Sequence, residues 1–319
     1  MINNVIGIDL GGTNFRIGLV DAENNIRHYR KLKTKLIAES KEPLQVIIHA
    51  IDDFLREEQI HSFDAISIGI SSSVANDEKT VSSTSNILGT DGKPVFKNKN
   101  IGDEIESYFR VPVYINNDTK NILLYDMQVN NIGVSETVIG IYFGTGVGSA
   151  VWVNGRMLNG SNGVALDIGH VPYFNGTDVC KCGNIGCCEC YASGWRLEEI
   201  QSRCFPKTNI SELFVQHGDE PVLKNYVYAC SHICSVMATI FNPSFLILGG
   251  GIIEMKAFPK ERMRRDILMH VGKDVLNYGF QFVFSDNVKE KGVIGAAIFA
   301  RMHSSGEVTL DDKASVAAV

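Results

Sequence analysis

A group of cysteines beside one histidine is the part of this sequence whose residue types and spacing point most directly to chemistry. His170 is followed by a segment, residues 180–190, that holds five cysteines and two glycines. One imidazole and several thiolates within about 20 residues can form a tetrahedral zinc site, and glycines let the chain fold back around the ion. The spacing is not that of an ordinary zinc finger. The sequence therefore predicts a small zinc-binding loop, with unligated buried cysteines as the alternative.

Three glycine-rich turns offer backbone N–H groups that could hold phosphates. Glycine lets a phosphate approach the backbone and tolerates the positive φ that such turns need. Tight hairpins also favour glycine, so each turn has a purely structural interpretation as well. The three turns are Gly11-Gly12-Thr13, Gly144-Thr145-Gly146 and Gly249-Gly250-Gly251.

Two aspartates stand at the ends of apolar segments that read as strands. Asp9 directly precedes the first glycine turn. Because an unpaired buried carboxylate is costly, a hydrated Mg²⁺ beside phosphates is its expected partner, and a turn-capping role is the alternative. Asp118 follows the strand predicted over residues 111–115. There it is either a helix cap or a general base, since ligands of α/β sheets bind at strand ends.

Further polar residues surround the cysteine-rich segment. Asp167 precedes it and Glu189 lies within it. Acids at these positions suit hydrogen bonds to several sugar hydroxyls, although exposed or capping acids are the alternative. Asn86, in a serine-rich run, is a weaker polar candidate because such runs are usually plain loops.

The elements that must position these residues follow a pattern that occurs twice. Residues 5–10 and 138–143 each read as a strand that enters a glycine turn and returns as a second strand. Residues 65–70 and 245–250 form a second pair of similar apolar runs. Helices are predicted over residues 43–57, 121–127 and 222–241. The sequence thus predicts an α/β fold with a duplicated core, unless the glycine hairpins recur by chance.

The overall composition narrows the function classes. A net charge of −6 over 319 residues argues against binding to nucleic acid or an anionic membrane through the whole protein. No apolar run approaches the roughly 18 residues of a membrane span, and the N-terminus lacks the features of a signal peptide. We therefore expect a cytoplasmic protein, in which the eight cysteines serve as thiols or metal ligands.

Taken together, these segments resemble the ROK family of sugar kinases, within the two-domain actin-like (ribonuclease H-like) ATPase superfamily. The matching segments occur in the family's order and span nearly the whole chain; they are Asp9–Thr13, Asn117-Asp118, Gly144–Gly148, Gly169-His170, Cys180–Glu189 and Leu248–Gly251. The resemblance implies a smaller N-terminal α/β domain of residues 1–117 with about 292–319, and a larger domain of residues 118–291 that carries the zinc site.

The resemblance also implies an activity: transfer of the γ-phosphate of ATP to a hexose hydroxyl, expected to be the 6-hydroxyl. The residues around 151–155, 169–172 and 241–259 resemble the family's D-allose kinases most closely, so D-allose is the expected hexose. A glucokinase or an N-acetylmannosamine kinase of the same family is the alternative, as is a sugar sensor without catalysis. The implied cofactors are ATP, Mg²⁺ and a structural Zn²⁺, and a homodimer is a further implication.

The implied roles fall on individual residues. Asp118 would be the general base, and Asp9 would lie beside Mg²⁺. The residues that would hold ATP are Gly11, Gly12, Thr13, Gly144, Thr145 and Gly146 at the phosphates and Gly249, Gly250 and Gly251 at the nucleoside. The residues that would contact the sugar are Asn86, Asn117, Asp118, Asp167, His170 and Glu189. The residues that would bind zinc are His170, Cys180, Cys182 and Cys187.

Three departures from the family's pattern bear on these roles. Leu166-Asp167 stands where the family usually has Gly-Glu, which could move or lose a contact to a sugar hydroxyl. Lys120 stands where it usually has Asn, and a cation there could pair with Asp118 and lower its basicity. The segment Gly69–Ser73 lacks the usual Gly-Pro turn.

Two other function classes compete with a kinase or sensor. A DNA-binding repressor of the same family would need an N-terminal helix-turn-helix, yet the first strand is expected to start by Val5, which leaves no room for helices of about 11 residues. A redox protein would use the Cys-x-x-Cys spacing of Cys187 and Cys190. That pair lies in a cysteine-dense loop rather than at the strand-to-helix turn of a thioredoxin-like unit.

Overall fold

The computed structural model describes residues 2–83 and 87–304, which form two compact units. The first unit contains the residues up to Tyr125 and those from Glu290 onward, and the second contains Asp126–Lys289. The border therefore falls inside a helix, after Tyr125, and not at the strand end at residue 117. The chain returns to the first unit from Glu290, two residues before the predicted position.

The elements alternate between strands and helices along the chain, so the predicted α/β class is confirmed. The strands are β1 (Val5–Leu10), β2 (Asn14–Val20), β3 (Ile26–Lys33), β4 (Ala65–Ile70), β5 (Ser73–Val74), β6 (Thr80–Ser83), β7 (Lys99–Asn100), β8 (Val113–Asn117), β9 (Val138–Phe143), β10 (Val147–Val153), β11 (Arg156–Met157), β12 (Phe245–Gly249) and β13 (Gln281–Phe284). The helices are α1 (Lys35–Ala38), α2 (Pro43–Glu57), α3 (Gly102–Phe109), α4 (Asp118–Val129), α5 (Glu189–Ala192), α6 (Gly194–Cys204), α7 (Leu213–His217), α8 (Pro221–Phe241), α9 (Lys260–His270), α10 (Lys273–Tyr278) and α11 (Lys291–Ser304). Short 3₁₀ helices cover Ile168–His170 and Ile210–Glu212.

Each unit contains a five-stranded mixed sheet, and the two sheets share one plan. The order is β3-β2-β1-β4-β8 in the first unit and β11-β10-β9-β12-β13 in the second. In each, the first three strands are antiparallel to their neighbours, and the last three are parallel. A small antiparallel sheet, β5-β6-β7, also belongs to the first unit. The shared order agrees with the internal duplication that the glycine hairpins predict.

The helices follow from their apolar spacing and end signals. In α2, Leu44, Ile47, Ile51 and Phe54 recur at helical intervals and are buried, and Pro43 occupies the first turn. Helix α8 ends where Asn242 adopts a left-handed conformation with φ of 44°. Both helices match the predicted ranges within one residue, whereas α4 extends beyond residues 121–127 to begin at Asp118.

Helix α11 packs closely on the first sheet because glycines remove the side chains between them. The α-carbon of Gly7 on β1 faces the carbonyl of Val293, and that of Gly295 faces the carbonyl of Asn121 on α4, so that a Cβ at either glycine would overlap these atoms. Val293 and Ala297 bury against Val5 on β1. Since α11 follows the whole second unit in sequence, the core of the first unit is built from both ends of the described chain.

Each unit has its own apolar core. Residues of β1, β2, β4, β8, α2 and α3 form one large buried cluster in the first unit. Residues of β9, β10, β12 and α6–α9 form the other in the second unit. Within residues 2–83 and 87–304, no helix combines the length and the apolar character needed to span a bilayer.

Candidate functional site

The carboxyl edge of the first sheet brings two polar residues and a glycine into one row. In the parallel strands β1, β4 and β8, Asp9 pairs with Gly69, and Gly69 pairs with Asn116. Gly69 is required there, because a Cβ would lie 2.7 Å from Nδ2 of Asn121 and 3.5 Å from Cα of Asp118. The first glycine turn and Asp118 follow directly from these strand ends. The row therefore collects the residues predicted to act in the first unit, at the edge where α/β sheets bind ligands.

Asp9 is buried and paired with a residue that the sequence analysis did not single out. Oδ2 of Asp9 accepts a hydrogen bond from Nη1 of Arg16 at 2.6 Å. Burial nevertheless raises the pKa of Asp9, and the positive charge of Arg16 opposes this rise only in part. The carboxylate would thus still gain from a further cation.

Asp118 is the first residue of α4 and is half-buried, and the negative charge of Asp9 acts on its carboxylate. Oδ1 of Asp118 accepts the backbone N–H of Thr119 at 2.8 Å, and the Ser71 hydroxyl also donates to the carboxylate. Burial, reinforced by the negative charge of Asp9, raises the pKa of Asp118 to about 7. A carboxyl group with such a pKa can take up and release a proton near neutral pH.

Asn117 caps the start of α4. Its Oδ1 accepts the backbone N–H of Thr119 at 3.0 Å, and its Nδ2 donates to the carbonyl of Ser72 at 3.0 Å. The capping role considered for Asp118 is therefore shared with its neighbour. Asn86, the other predicted sugar contact from this unit, lies outside the described residues.

The pKa of Asp118 is raised although Lys120, the cation at the position of the family's usual Asn, lies two residues further along α4. The side chain of Lys120 is buried, and burial lowers its pKa to about 8, while the charge of Glu78 opposes that shift. Glu78, in the turn between β5 and β6, also lies 2.7 Å from Nε2 of His303 on α11. Burial and the charge of Asp9 therefore outweigh any lowering of the pKa of Asp118 by Lys120.

The first glycine turn is held by backbone hydrogen bonds. The N–H of Gly11 donates to the carbonyl of Asn14 at 3.0 Å, and the Thr34 hydroxyl donates to the carbonyl of Gly11 at 2.6 Å. The N–H of Thr34 donates to the carbonyl of Thr13 at 3.2 Å. These bonds use the N–H of Gly11 and the carbonyls of Gly11 and Thr13, and the turn is therefore ordered before any ligand binds.

The two glycine turns of the second unit meet at the carboxyl edge of its sheet. Gly144 follows β9 and the Gly249–Gly251 turn follows β12, which is the parallel neighbour of β9. Gly250 has a φ of 92°, and a Cβ on it would lie 2.5 Å from the carbonyl oxygen of Phe143. By contrast, a Cβ on Gly144 or on Gly251 would meet no atom within 4 Å. Open space beside these two glycines is what a bound phosphate or nucleoside would need.

Glu189 lies against the second glycine turn. Its Oε2 accepts the backbone N–H of Val147 at 3.0 Å, and a Cβ on Gly146 would overlap that oxygen. A Cβ on Gly169 would lie 3.3 Å from the same atom. One carboxylate oxygen of Glu189 thus orders the turn, a role that its position in the cysteine-rich segment did not reveal.

The predicted zinc ligands converge. One ligand atom from each of His170, Cys180, Cys182 and Cys187 lies within 4.8 Å of all the others. The Sγ atoms of Cys182 and Cys187 are 3.7 Å apart, and Sγ of Cys180 is 3.7 Å from Nδ1 of His170. Zn–S bonds of about 2.3 Å in a tetrahedron place sulfurs about 3.8 Å apart. The four side chains therefore fit a tetrahedral zinc ion.

The two additional cysteines of this segment differ in their surroundings, because Cys190 packs beside Cys180 and Cys187, whereas Cys188 belongs to another cluster. Cys188 packs into the core of the second unit, and Sγ of Cys190 lies 3.7 Å from the carbonyl of Asp178. Burial raises the pKa of both Cys187 and Cys190 to about 12, with neighbouring sulfurs adding to the rise. A redox pair needs an accessible thiolate, so this environment disfavours the redox alternative.

The other nitrogen of His170 faces Asp167. Nε2 of His170 lies 3.9 Å from Oδ1 of Asp167, whose side chain is 69% exposed. The residue before this aspartate, Leu166, has a φ of 73°, which is a conformation that glycine adopts far more easily. This left-handed backbone would suit the glycine that the family usually has at this position. The present chain adopts it with a leucine.

Three residues that act on the predicted site residues were not singled out from sequence: Arg16, Ser71 and Glu78. For Arg16 a signal existed, because the antiparallel hairpin around the first glycine turn sets residue 16 opposite residue 9. For Ser71 and Glu78 the sequence held no comparable signal, since their partners lie far away along the chain.

Comparisons with known proteins agree with this arrangement. The ROK family profile matches residues 5–303. An N-acetyl-D-glucosamine kinase of Pectobacterium atrosepticum is 27% identical over 265 residues, which cover 77% of this chain and 83% of the relative. A glucokinase of Thermotoga maritima is 24% identical over 322 residues, covering 95% and 98%.

Solved structures share the fold. A ROK family glucokinase from Streptomyces griseus, in complex with glucose and AMPPNP, has a TM-score of 0.77 at 24% identity, with 94% of this chain and 99% of that chain covered. A ROK family transcriptional regulator, a homolog of E. coli MLC, has a TM-score of 0.80 at 20% identity, covering 95% and 79%. Because a kinase and a regulator fit equally well, the structural likeness speaks for the fold alone.

The raised pKa of Asp118 predicts a pH-dependent cost to stability. Its folded-state pKa of about 7 exceeds the reference value of 3.8, so the folded protein binds the proton more tightly and loses stability as the pH rises towards 7. We expect Asp118→Asn to be more stable than the wild type, by a margin that widens by about 1–2 kcal/mol between pH 5 and pH 8 and is constant above. Urea unfolding at several pH values measures this margin. The exposed Asp274→Asn is the control, and a margin for Asp118→Asn that does not change with pH would contradict the assignment.

The backbone at Leu166 predicts an unusual tolerance of glycine. Leu166→Gly loses apolar contact, but it also releases a left-handed strain of about 1–2 kcal/mol, so we expect the free energy of unfolding to change by less than about 1 kcal/mol. Leu158→Gly is the matched control. Both leucines pack partly buried against the same core cluster, yet Leu158 is not among the residues with positive φ. We expect this control to lose about 2 kcal/mol or more; equal losses in the two variants would contradict the strain at Leu166.

Proposed function

The chain belongs to the ROK family, and we propose on this basis that it is a sugar kinase that transfers the γ-phosphate of ATP to a hydroxyl of a hexose. The observation that carries the proposal is the half-buried Asp118, whose pKa of about 7 suits a general base, at the carboxyl edge of the first sheet. The relatives named as N-acetyl-D-glucosamine kinase and glucokinase support the same reaction class.

In this reaction Asp118 accepts the proton of the attacking sugar hydroxyl. Phosphoryl transfer depends mostly on positioning and charge neutralisation, and a positioned base adds roughly 10²–10⁴ in rate. The N–H of Thr119 and the Ser71 hydroxyl hold the carboxylate in one orientation. Because both donate to the carboxylate, they stabilise its ionised form against the effect of burial.

The glycine turns fit a nucleotide. In the second unit, the open space beside Gly144 and Gly251 is a feature that a phosphate chain needs. In the first unit, the ordered turn offers the N–H groups of Gly12 and Thr13, while the N–H of Gly11 is used within the turn. We assign Gly144, Thr145 and Gly146 to the phosphates and Gly249–Gly251 to the nucleoside. ATP supplies the phosphoryl group when it is bound there.

Asp9 fits a site beside a magnesium ion. The pKa of Asp9 remains raised by burial even with Arg16 paired to it, so a further positive charge would stabilise the ionised carboxylate. A hydrated Mg²⁺ neutralises phosphate charge when it is bound. Arg16 keeps Oδ2 of Asp9 fixed, and the carboxylate of Asp9 would then help to hold the hydrated ion.

The zinc ion that we propose is structural. His170, Cys180, Cys182 and Cys187 would supply four protein ligands to the ion, which would leave no position for substrate. Few regular elements occur between β11 and α5. The ion would hold that segment together and fix His170 with Nε2 towards Asp167.

For the substrate we propose D-allose, phosphorylated on the 6-hydroxyl, from the sequence resemblance. The residues assigned to the sugar are Asp118, Asn117, Asp167, Glu189 and the Nε2 atom of His170. Asn117 and Glu189 already use part of their hydrogen-bonding capacity within the protein, so Asp167 and Nε2 of His170 are the freest of this set to select among hydroxyls.

We also propose a cytoplasmic location for the protein. All eight cysteines are unbridged, which suits a reducing compartment and supports a cytoplasmic location. A homodimer stays a prediction from the resemblance.

The reaction predicts sugar-dependent release of ADP. We would supply Mg-ATP with D-allose, glucose, N-acetylglucosamine or N-acetylmannosamine and follow ADP by a coupled assay. We expect turnover with at least one sugar, greatest with D-allose, and a loss of about 10²-fold or more in Asp118→Asn, whose sugar binding should persist. The exposed Asp274→Asn serves as the control with wild-type turnover.

The result separates the alternatives. Preference for glucose or N-acetylmannosamine would correct the substrate and keep the kinase. Sugar binding without ADP release would replace the enzyme by a sugar sensor. Near-normal turnover by Asp118→Asn would remove Asp118 from the role of base.

The zinc site predicts a metal content that depends on the cluster. We expect about one zinc per chain in the purified protein and much less in Cys180→Ser, with a lower melting temperature and weaker sugar binding in that variant. Cys204→Ser, at an exposed cysteine outside the cluster, is the control. Elemental analysis and thermal unfolding measure both effects; unchanged stability and sugar affinity in a verified zinc-free sample would contradict the structural role.

A further inference from the structure

A buried carboxylate that the proposed reaction does not use lies in the second unit. Asp126, on α4, has no exposed surface. Its Oδ2 accepts the hydroxyl of Tyr142 at 2.8 Å, and its Oδ1 accepts the hydroxyl of Ser285 at 2.8 Å. A buried carboxylate is costly unless donors satisfy it. The two hydroxyl groups offset that cost, so we ask what the three side chains together hold in place.

The two hydroxyl donors stand at the carboxyl edge of the second sheet. Tyr142, near the end of β9, is the strand partner of Gly249 on β12. Ser285 directly follows β13, and its N–H donates to the carbonyl of Leu248 at 2.9 Å. Asp126 therefore joins the ends of the outer two of three parallel strands, with the Gly249–Gly251 turn leaving the middle one.

Gly249 is packed between the same two side chains. A Cβ on Gly249 would lie 2.7 Å from Cβ of Ser285 and 2.9 Å from Cδ1 of Tyr142. The turn thus begins in direct contact with both donors. Any rotation of the Tyr142 ring or of the Ser285 side chain would change the surface on which Gly249 rests.

We propose that Asp126 is a positioning residue for the nucleotide: by fixing Tyr142 and Ser285, it sets the Gly249–Gly251 turn in the geometry that receives the nucleoside of ATP. This inference rests on the proposed kinase function and adds a residue that contacts neither ATP nor the sugar. Burial and the charge of Asp126 raise the pKa of Tyr142 well above its ordinary value, so its hydroxyl remains a donor throughout the working pH range.

The test removes one donor at a time and leaves the carboxylate in place. Tyr142→Phe keeps the aromatic ring beside Gly249 but loses the hydroxyl, and Ser285→Ala keeps Cβ but loses its hydroxyl. Asp126→Asn is a third variant, which removes the carboxylate itself but keeps the size of the side chain, and we expect the same selective loss of analogue affinity from it. We would measure binding of a non-hydrolysable ATP analogue with Mg²⁺ by calorimetry, and the KM values for ATP and for the sugar together with kcat.

We expect the analogue to bind about 5–10-fold more weakly to Tyr142→Phe and to Ser285→Ala, with KM for ATP raised by the same factor and KM for the sugar unchanged. The double variant should lose less than the product of the two factors, because both donors act through one acceptor. Ser231→Ala is the matched control: its buried hydroxyl also belongs to the second unit, but it donates to Val227 within α8. We expect wild-type values for this control.

Two outcomes would overturn the inference, and they differ from a failure of the proposed function. Wild-type nucleotide affinity in both single variants would show that the hydroxyls do not set the turn. A parallel loss of kcat, sugar affinity and melting temperature, without a selective effect on ATP, would indicate a general structural role. If the wild-type protein itself bound no nucleotide, the kinase proposal would fall, and this inference with it.

Discussion

The confinement of two carboxylates, Asp9 and Asp118, at one end of an apolar sheet governs the arrangement of the first unit. Like charges in a poorly solvated place cannot both ionise freely, and the fold resolves the conflict unequally. Burial raises the pKa of both groups; Arg16 opposes the rise at Asp9 in part, whereas the charge of Asp9 adds to the rise at Asp118, whose pKa is about 7. The proton affinity of Asp118 near neutrality thus arises first from burial and then from its like-charged neighbour. Gly69, the strand partner of Asp9, has no Cβ, which lets the backbone of Asp118 and the side chain of Asn121 approach this edge.

The duplicated plan carries different chemistry in its two copies. In the first sheet Asp9 pairs with Gly69, and in the second Tyr142 pairs with Gly249 at the corresponding place. Both glycines allow a side chain from beyond the sheet to come close: that of Asn121 in one case and that of Ser285 in the other. The two copies thus share a glycine that lets another segment come close to the sheet. They differ in the strand partner of that glycine, which is an acid in one copy and a phenol in the other. Such a division suits a protein in which the two halves of a ligand, or two ligands, need unlike surroundings.

Local patterns in the sequence predicted much of this fold and site. Contacts between distant segments were not predicted, because no local pattern indicates them. The strands beside the glycine turns, the amphipathic α2 and the convergence of His170 with three cysteines follow from spacing along a short stretch of chain. The engagement of Lys120 with Glu78, and the contact of Glu189 with the N–H of Val147, depend on elements that meet only in the folded protein. Local sequence cannot encode such meetings, because each requires the packing of segments far apart. For the same reason the border between units was placed at a strand end, although it falls within α4.

The position of α11 has a consequence for how the protein is made. Val5, Val20 and Ala65 complete their burial only against Val293, Ala297 and Ala300 of this helix. During translation the ribosome therefore exposes an unfinished first sheet for the whole time needed to synthesise residues 126–289. Domains usually fold in the order of their synthesis, but here the second unit can acquire its core before the first can close. Chaperones that shield apolar strands on nascent chains would thus have their longest opportunity at β1 and β4, the strands that carry Asp9 and Gly69.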